Sequence, residues 1–327
     1  MIGEIINERY HLNAELGQGG MGTVYLARDT VLNRDVALKL VSSPRLGKDG
    51  RSRLLSEAQT VAQLKHPNIV TVYDAGEVEN QPYVVMEYIQ GDTLDKHQLD
   101  GYQQIVDAVK QICTALEYAH SHNIVHRDLK PENVILQPNG NLQLMDFGLA
   151  VSTTSRMTEN GLIMGTVAYM SPEQAFGYEV TPASDLYSLG VMLYEMVTGS
   201  LPFEAEDALG VITQHIHAPV VPPIAKAEDL PGPLNDLIVS LLSKEPDQRP
   251  ASAADVLAVL EDPSLFESAG SLDKELSVLD RIVRGRILGR EGEFAEVRSL
   301  WLKSIAGQGQ TVLISGEPGI GKTRLMR

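Results

Sequence analysis

The sequence predicts an α+β chain, with strands gathered near its start, helices through its middle and a short α/β segment at its end. Three observations carry this. Residues 10–41 hold three strand-like runs, YHLNAELG, TVYLARD and DVALKLV, separated by a glycine cluster and the turn VLNR. Later stretches change to helical spacing of apolar residues, as in IVDAVKQICTALEYAH and ASAADVLAVLED, while YSLGVMLYEMVTG reads as a buried core helix. Near the C-terminus TVLIS runs into GEPGIGKT, a strand passing into a glycine loop.

At 327 residues the chain is long enough for two domains and a substantial core. A net charge of -16 argues against nucleic acid or an anionic membrane as partner, because both need a basic face. The single cysteine, Cys113, excludes an internal disulfide and sits in an apolar helical pattern, which reads as a buried thiol. MIGEIINERY lacks the basic start and apolar run of a signal peptide. No stretch reaches the roughly 18 apolar residues of a membrane span. The expectation is a cytoplasmic protein with no membrane segment in this chain.

Between the first two strands lies Gly17-Gln18-Gly19-Gly20-Met21-Gly22-Thr23-Val24, a G-x-G-x-x-G-x-V pattern. A dinucleotide fingerprint or P-loop would need a helix to follow, whereas here a strand does. A glycine hairpin can fold over nucleotide phosphates, its N–H groups approaching closely because no side chains intervene. The third strand carries Val36-Ala37-Leu38-Lys39, and behind a glycine loop of this kind Lys39 is the expected partner of the α- and β-phosphates. Val24 and Ala37 are small and apolar, suited to sandwiching an adenine ring.

RLLSEAQTVAQLKHPNIV then places Leu54, Ala58, Val61 and Leu64 near one helical face. Glu57 is the acid of this helix best placed to pair with Lys39. With no Pro or Gly the helix can shift as a rigid body, so such a pair is a natural control point. PYVVMEYIQGDTL reads as a buried strand that breaks at Gly91, and a helix follows over about 102–122. VILQPNGNLQLMDFG suggests two short strands around the turn Asn139-Gly140.

The stretch His126 to Gly148, HRDLKPENVILQPNGNLQLMDFG, holds what phosphoryl transfer requires. Asp128 can accept a hydroxyl proton, Asn133 and Asp146 can hold a divalent metal beside a triphosphate, and Lys130 can steady the moving group. ATP is densely charged, so catalysis is mostly positioning plus electrostatics.

The ordered set HRDLKPEN and DFG, behind the glycine pattern and VALK, resembles the eukaryotic-type (Hanks-type) protein kinase family over about residues 9–262. LKPEN looks like its serine/threonine branch, of the bacterial type. The resemblance implies a bilobal protein kinase fold, with a β-rich small lobe (9–86), a hinge (87–91) and a helical large lobe (92–262). It implies ATP with Mg2+, or Mn2+ in its place. Met86 would be the gatekeeper, the backbone of Glu87 and Ile89 would bond the adenine edge, and Ile135 would join the nucleotide site. His126 and Phe147 resemble members of the family's packed regulatory column.

The segment from Asp146 to Ser171-Pro172-Glu173 resembles an activation loop, where the family more often ends in Ala-Pro-Glu. Arg127 would bind a phosphorylated hydroxyl there, with Thr153, Thr154 and Thr158 as leading acceptors. Thr166 matches the position that contacts Asp128 and Lys130, Asp185 the acid that braces the catalytic loop, and Arg249 the partner of Glu173.

Residues 263–285 read as a linker and 286–327 as the start of a P-loop domain. Its Gly316, Gly321, Lys322 and Thr323 follow a strand, as that motif requires; Lys322 would reach the β/γ-phosphates and Thr323 a magnesium ion. With LGREGEF upstream, this segment resembles AAA-like or STAND-type signalling ATPases found behind bacterial kinase domains. About 40 residues cannot bury a complete α/β core, so a truncated P-loop segment of a larger protein is expected. The leading expectation is an active serine/threonine kinase acting on protein substrates, controlled by loop autophosphorylation. The alternative is a nucleotide-binding pseudokinase scaffold that regulates the ATPase. Kinases of this type can pair through their small lobes, though nothing in the spacing establishes a dimer.

Overall fold

Extended, β-branched sequence early in the chain and helix-forming sequence after it give two lobes of different kind. A computed structural model describes residues 1–19, 22–41, 48–147 and 167–266. The small lobe is an antiparallel sheet of β1 (Ile5–Ile6), β2 (Tyr10–Gly19), β3 (Gly22–Asp29), β4 (Arg34–Val41), β5 (Val72–Val78) and β6 (Gln81–Glu87). Its order is β1-β2-β3-β4-β6-β5. The register pairs Gly17 with Val24, Val24 with Lys39 and Ala37 with Met86, so the glycine hairpin, Lys39 and Met86 lie on neighbouring strands.

Strand β4 is buried on both faces, and successive side chains serve different clusters, as the two-residue period requires. Val36, Leu38 and Leu40 pack with Tyr10, Leu12 and Tyr83. Ala37 and Val41 pack with Val84, Met86 and with Leu54 and Ala58 of α1 (Lys48–Val61).

One ion pair pins the strands together. Asp29 is fully buried and accepts from Arg9 Nε at 2.9 Å and Nη2 at 2.7 Å, and also from the amides of Val31 and Leu32. The Arg9 bond, against the opposing effect of burial, holds the Asp29 carboxyl down to about 2. A depressed carboxylate contributes stability above its unfolded value of 3.8, and that stability is lost as pH falls toward about 2. Arg9→Met is expected to cost about 2 kcal/mol and to shrink this acid-side loss, as read by urea melts at pH 7 and pH 3.

The large lobe begins with a three-stranded sheet of β7 (Asp92–Thr93), β8 (Val134–Leu136) and β9 (Leu142–Leu144). Its helices are α2 (Gly101–Ser121), α3 (Pro172–Phe176), α4 (Pro182–Thr198), α5 (Ala208–His217), α6 (Gly232–Leu241) and α7 (Ala253–Glu261). Helix α4 is the axis of this lobe, with Leu186, Tyr187, Leu189, Val191, Met192 and Leu193 all fully buried. It starts at a Thr181 cap with Pro182 in its first turn and stops at Gly199, whose φ of +72° suits a residue without a Cβ.

Sequence reading and structure differ at several points. Strand β5 and helices α5 and α6 were not anticipated. The domain also continues past 262, because Pro263–Phe266 form a 3-10 turn that buries Leu265 in the large-lobe core. Met1–Phe266 form one compact unit. The P-loop segment, with most of the expected linker, lies outside the described residues. Among the described residues no helix is long and apolar enough to cross a membrane.

Candidate active site

The catalytic loop is held from below by α4. Asp185 is 1% exposed and accepts from the backbone N–H of His126 (2.7 Å) and of Arg127 (2.9 Å), and its Oδ2 lies 2.8 Å from His120 Nε2. A buried carboxylate is tolerable only with such partners. The resemblance anticipated this brace.

His126 links the loop to the segment after β9 that carries Asp146. Its Nε2 donates to the carbonyl of Met145 at 3.0 Å, its Nδ1 accepts from the N–H of Asp128 at 3.3 Å, and its ring lies 4.5 Å from that of Phe147. Burial outweighs the nearby carboxylates and lowers its pKa, which favours this neutral tautomer. Strands β8 and β9 pair Val134 with Leu144, and Met145 N–H donates to Asn133 O at 2.9 Å. Asn133 and Asp146 are therefore brought to the same end of one hairpin.

Around Asp128 the side chains converge. Lys130 Nζ lies 2.8 Å from Asp128 Oδ2, and Asn133 Nδ2 donates to Asp128 O at 2.7 Å and to Oδ2 at 3.2 Å. Lys39 Nζ reaches across the cleft to Asp146 Oδ2 at 2.6 Å. The apolar candidates Val24, Ala37, Met86, Ile89 and Ile135 share one cluster, joined by Met145, which sequence reading missed. The N–H of Glu87 donates to Thr71 O at 2.9 Å, so Glu87 can offer an adenine edge only its carbonyl.

One expected contact is replaced. Glu57 does not pair with Lys39; its Oε1 lies 3.5 Å from Arg127 Nη1, while Lys39 pairs with Asp146. Glu57 stands at the edge of the α1 face that buries Leu54, Ala58 and Val61, and from there it meets the catalytic loop. Burial raises its pKa, against the pull of Arg127 and Arg53. Gly17, Gln18, Gly19 and Gly22 form the expected hairpin between β2 and β3. Gly20, Thr153, Thr154, Thr158, Thr166, Gly316, Gly321, Lys322 and Thr323 lie outside the described residues.

The donors fit a hard divalent cation. Asp146 and Asn133 offer oxygens, and the amide of Asn133 is turned to Asp128 through its nitrogen. Among the described residues no three His, Cys, Asp or Glu side chains could hold a metal by themselves. Asp146 and Asn133 are the protein oxygens that a divalent cation shared with substrate phosphates would use.

A curled antiparallel sheet above a helical lobe, with these groups in the cleft, is the protein kinase architecture. Residues 10–260 match the family model for the protein kinase domain, and the chain belongs to that family. Within it, the similarity is to serine/threonine kinases. The chain is 41% identical over 268 residues to the serine/threonine-protein kinase PknB of Mycolicibacterium smegmatis, covering 78% of this chain and 43% of that protein. It is 37% identical over 263 residues to a probable serine/threonine-protein kinase of Clostridium acetobutylicum, covering 79% and 40%. The chain thus spans under half the length of these relatives. Among solved structures, the PknI kinase domain of Mycobacterium tuberculosis superposes with a TM-score of 0.65 at 26% identity, covering 80% of this chain and 97% of that one. The described domain is thus a protein kinase domain, and these relatives are serine/threonine kinases.

Proposed function

We propose that this site transfers the γ-phosphoryl group of ATP to serine or threonine hydroxyls of protein substrates. The observation that carries the reading is the convergence of Lys130 and Asn133 on Asp128, facing the Lys39–Asp146 pair. Asp128 orients the acceptor hydroxyl and takes its proton as the new O–P bond forms and the bond from the γ-phosphorus to the β–γ bridging oxygen breaks, releasing ADP. Lys130 offsets negative charge on the transferring group, and Lys39 fixes the α- and β-phosphates. Asp146 and Asn133 would hold magnesium, or manganese in its place, which supplies charge neutralisation between the phosphates. Val24, Ala37, Met86, Ile89 and Ile135 supply the apolar walls for adenine. A complete set of these groups favours catalysis over a scaffold that only binds nucleotide.

The reading extends to control. Phosphate on Thr153, Thr154 or Thr158 would draw Arg127 away from Glu57 and leave Glu57 for Lys39. It extends also to a cytoplasmic location where ATP is available, to pairing through the small lobe, and to a P-loop ATPase segment at Gly316–Thr323. The test is incubation with γ-labelled Mg-ATP and a generic acceptor protein, followed by peptide mapping. Label is expected on Ser and Thr, including the 153–158 segment of the kinase itself. Bound nucleotide with no label on any hydroxyl would defeat the kinase reading.

A further inference from the structure

Arg127, immediately before Asp128, has a φ of +68°. A side chain makes this left-handed conformation costly, and it persists only where surrounding groups over-determine it. Its N–H is taken by Asp185, as described. Its carbonyl is taken by a residue that no motif singled out: Gln174 Nε2 donates to Arg127 O at 2.7 Å.

Gln174 is 5% exposed and lies in α3, directly after the stretch 167–170. That stretch is itself anchored along its backbone. Ala168 O accepts from His215 Nε2 at 3.1 Å, and Tyr169 O accepts from Ser188 Oγ at 2.7 Å. Val167 and Met170 pack on Val211 and Ile212 of α5. The other end of the Gln174 amide closes the cap of α3, its Oε1 accepting from Ser171 N–H at 3.0 Å and from Ser171 Oγ at 3.1 Å. One buried side chain therefore ties the anchored stretch to the catalytic loop.

We propose that Gln174 is a positioning residue that fixes Asp128 of the catalytic loop relative to the anchored stretch 167–170. The inference rests on the kinase reading above. The chemistry explains why a glutamine stands here. A helix cap of this kind needs only an acceptor, which glutamate supplies equally well. The carbonyl of Arg127 needs a donor, which an ionised glutamate lacks. Gln174→Glu thus separates the two duties, keeping the cap and removing the clamp.

The experiment compares wild type and Gln174→Glu in steady-state phosphorylation of an acceptor protein, with thermal melting and nucleotide titration on the same samples. Expected is a fall in kcat of about tenfold or more, since small displacements of a catalytic group are costly, with KM for ATP and the Tm close to wild type. Should the new carboxylate compromise folding, Gln174→Met, which brings no charge but also gives up the cap acceptor, is judged by whether kcat falls further than its lower Tm and nucleotide binding account for. Wild-type kcat in a folded variant overturns the inference alone. So does a loss of kcat that only parallels lower Tm and weaker nucleotide binding, because Gln174 would then be merely structural. No transfer by the wild type overturns the kinase reading and this inference with it.

Discussion

Lys39→Met is expected to lower kcat/KM for ATP by about 10²–10³-fold while leaving the domain folded. Lys39 sits in the middle of β4 with its side chain 8% exposed, and its ion-pair partner is Asp146 at 2.6 Å. Methionine has a similar length and keeps the apolar stem that packs within the sheet, so β4 should hold its place. On the proposed reading, what disappears is the cation that β4 supplies to the α- and β-phosphates. The Asp146 carboxylate, only 17% exposed, also loses its counter-charge and so meets a triphosphate less favourably. Kinetics with varied ATP, beside a melting curve, check the result. Wild-type kcat/KM in a folded variant would mean that Lys39 does not meet the nucleotide.

Arg249→Met is expected to have the largest effect on stability, about 3–5 kcal/mol, as for other buried pairs deprived of one partner. The guanidinium is fully buried and makes five bonds. Nη1 and Nη2 reach Glu173 at 2.7 Å and 2.8 Å, and the carbonyls of Ala183, Lys244 and Ser243 take the remaining donors. For a domain of this size the loss corresponds to a Tm lower by about 10 °C. Burial alone would raise the pKa of Glu173, but the bonds from Arg249 and Ser184 outweigh it and hold the carboxyl below its ordinary 4.5. A depressed carboxylate contributes stability above that ordinary value and loses it as pH falls through the folded pKa. Without Arg249 the direction reverses. Burial then raises Glu173, and the variant should regain stability on mild acidification where the wild type loses it. Tm measured from pH 7 to pH 4 checks both the size and the reversal. Glu173→Met added to Arg249→Met should recover part of the loss, because no buried charge is then left alone.

Much of this was legible in the chain, for reasons visible at particular residues. Strand β4 and helix α2 announce themselves through dense apolar patterning, and their Gly, Asn and Pro punctuation is sharp. The grouping of Asp128, Asn133 and Asp146 could be read because short, ordered motifs set Asn133 and Asp146 at one end of a hairpin, with Asp128 just ahead of it. Strand β5 escaped notice because it is an edge strand, and VYDAGEV carries none of the strong alternation that a half-buried strand shows. Helix α6 follows the proline-rich APVVPPIA, which reads as loop. The Glu57–Arg127 contact could not be read at all. Which of two nearby cations a carboxylate takes depends on how α1 sits against the sheet, and spacing along a chain does not encode that. Gln174 escaped for a related reason, since its partner is a backbone carbonyl 47 residues away, which leaves no mark on the local sequence.

If the cleft performs transfer, Asp128 is the group that carries it. The most direct test takes one preparation each of wild type and Asp128→Asn, titrates Mg-ATP binding, and then measures single-turnover transfer to an acceptor protein. Asparagine keeps the shape that Lys130 and Asn133 surround but cannot take a proton. Similar affinities for Mg-ATP are expected, with a transfer rate lower in the variant by about 10²–10⁴-fold, the range for loss of a general base. Equal transfer by the two proteins would contradict this role of Asp128.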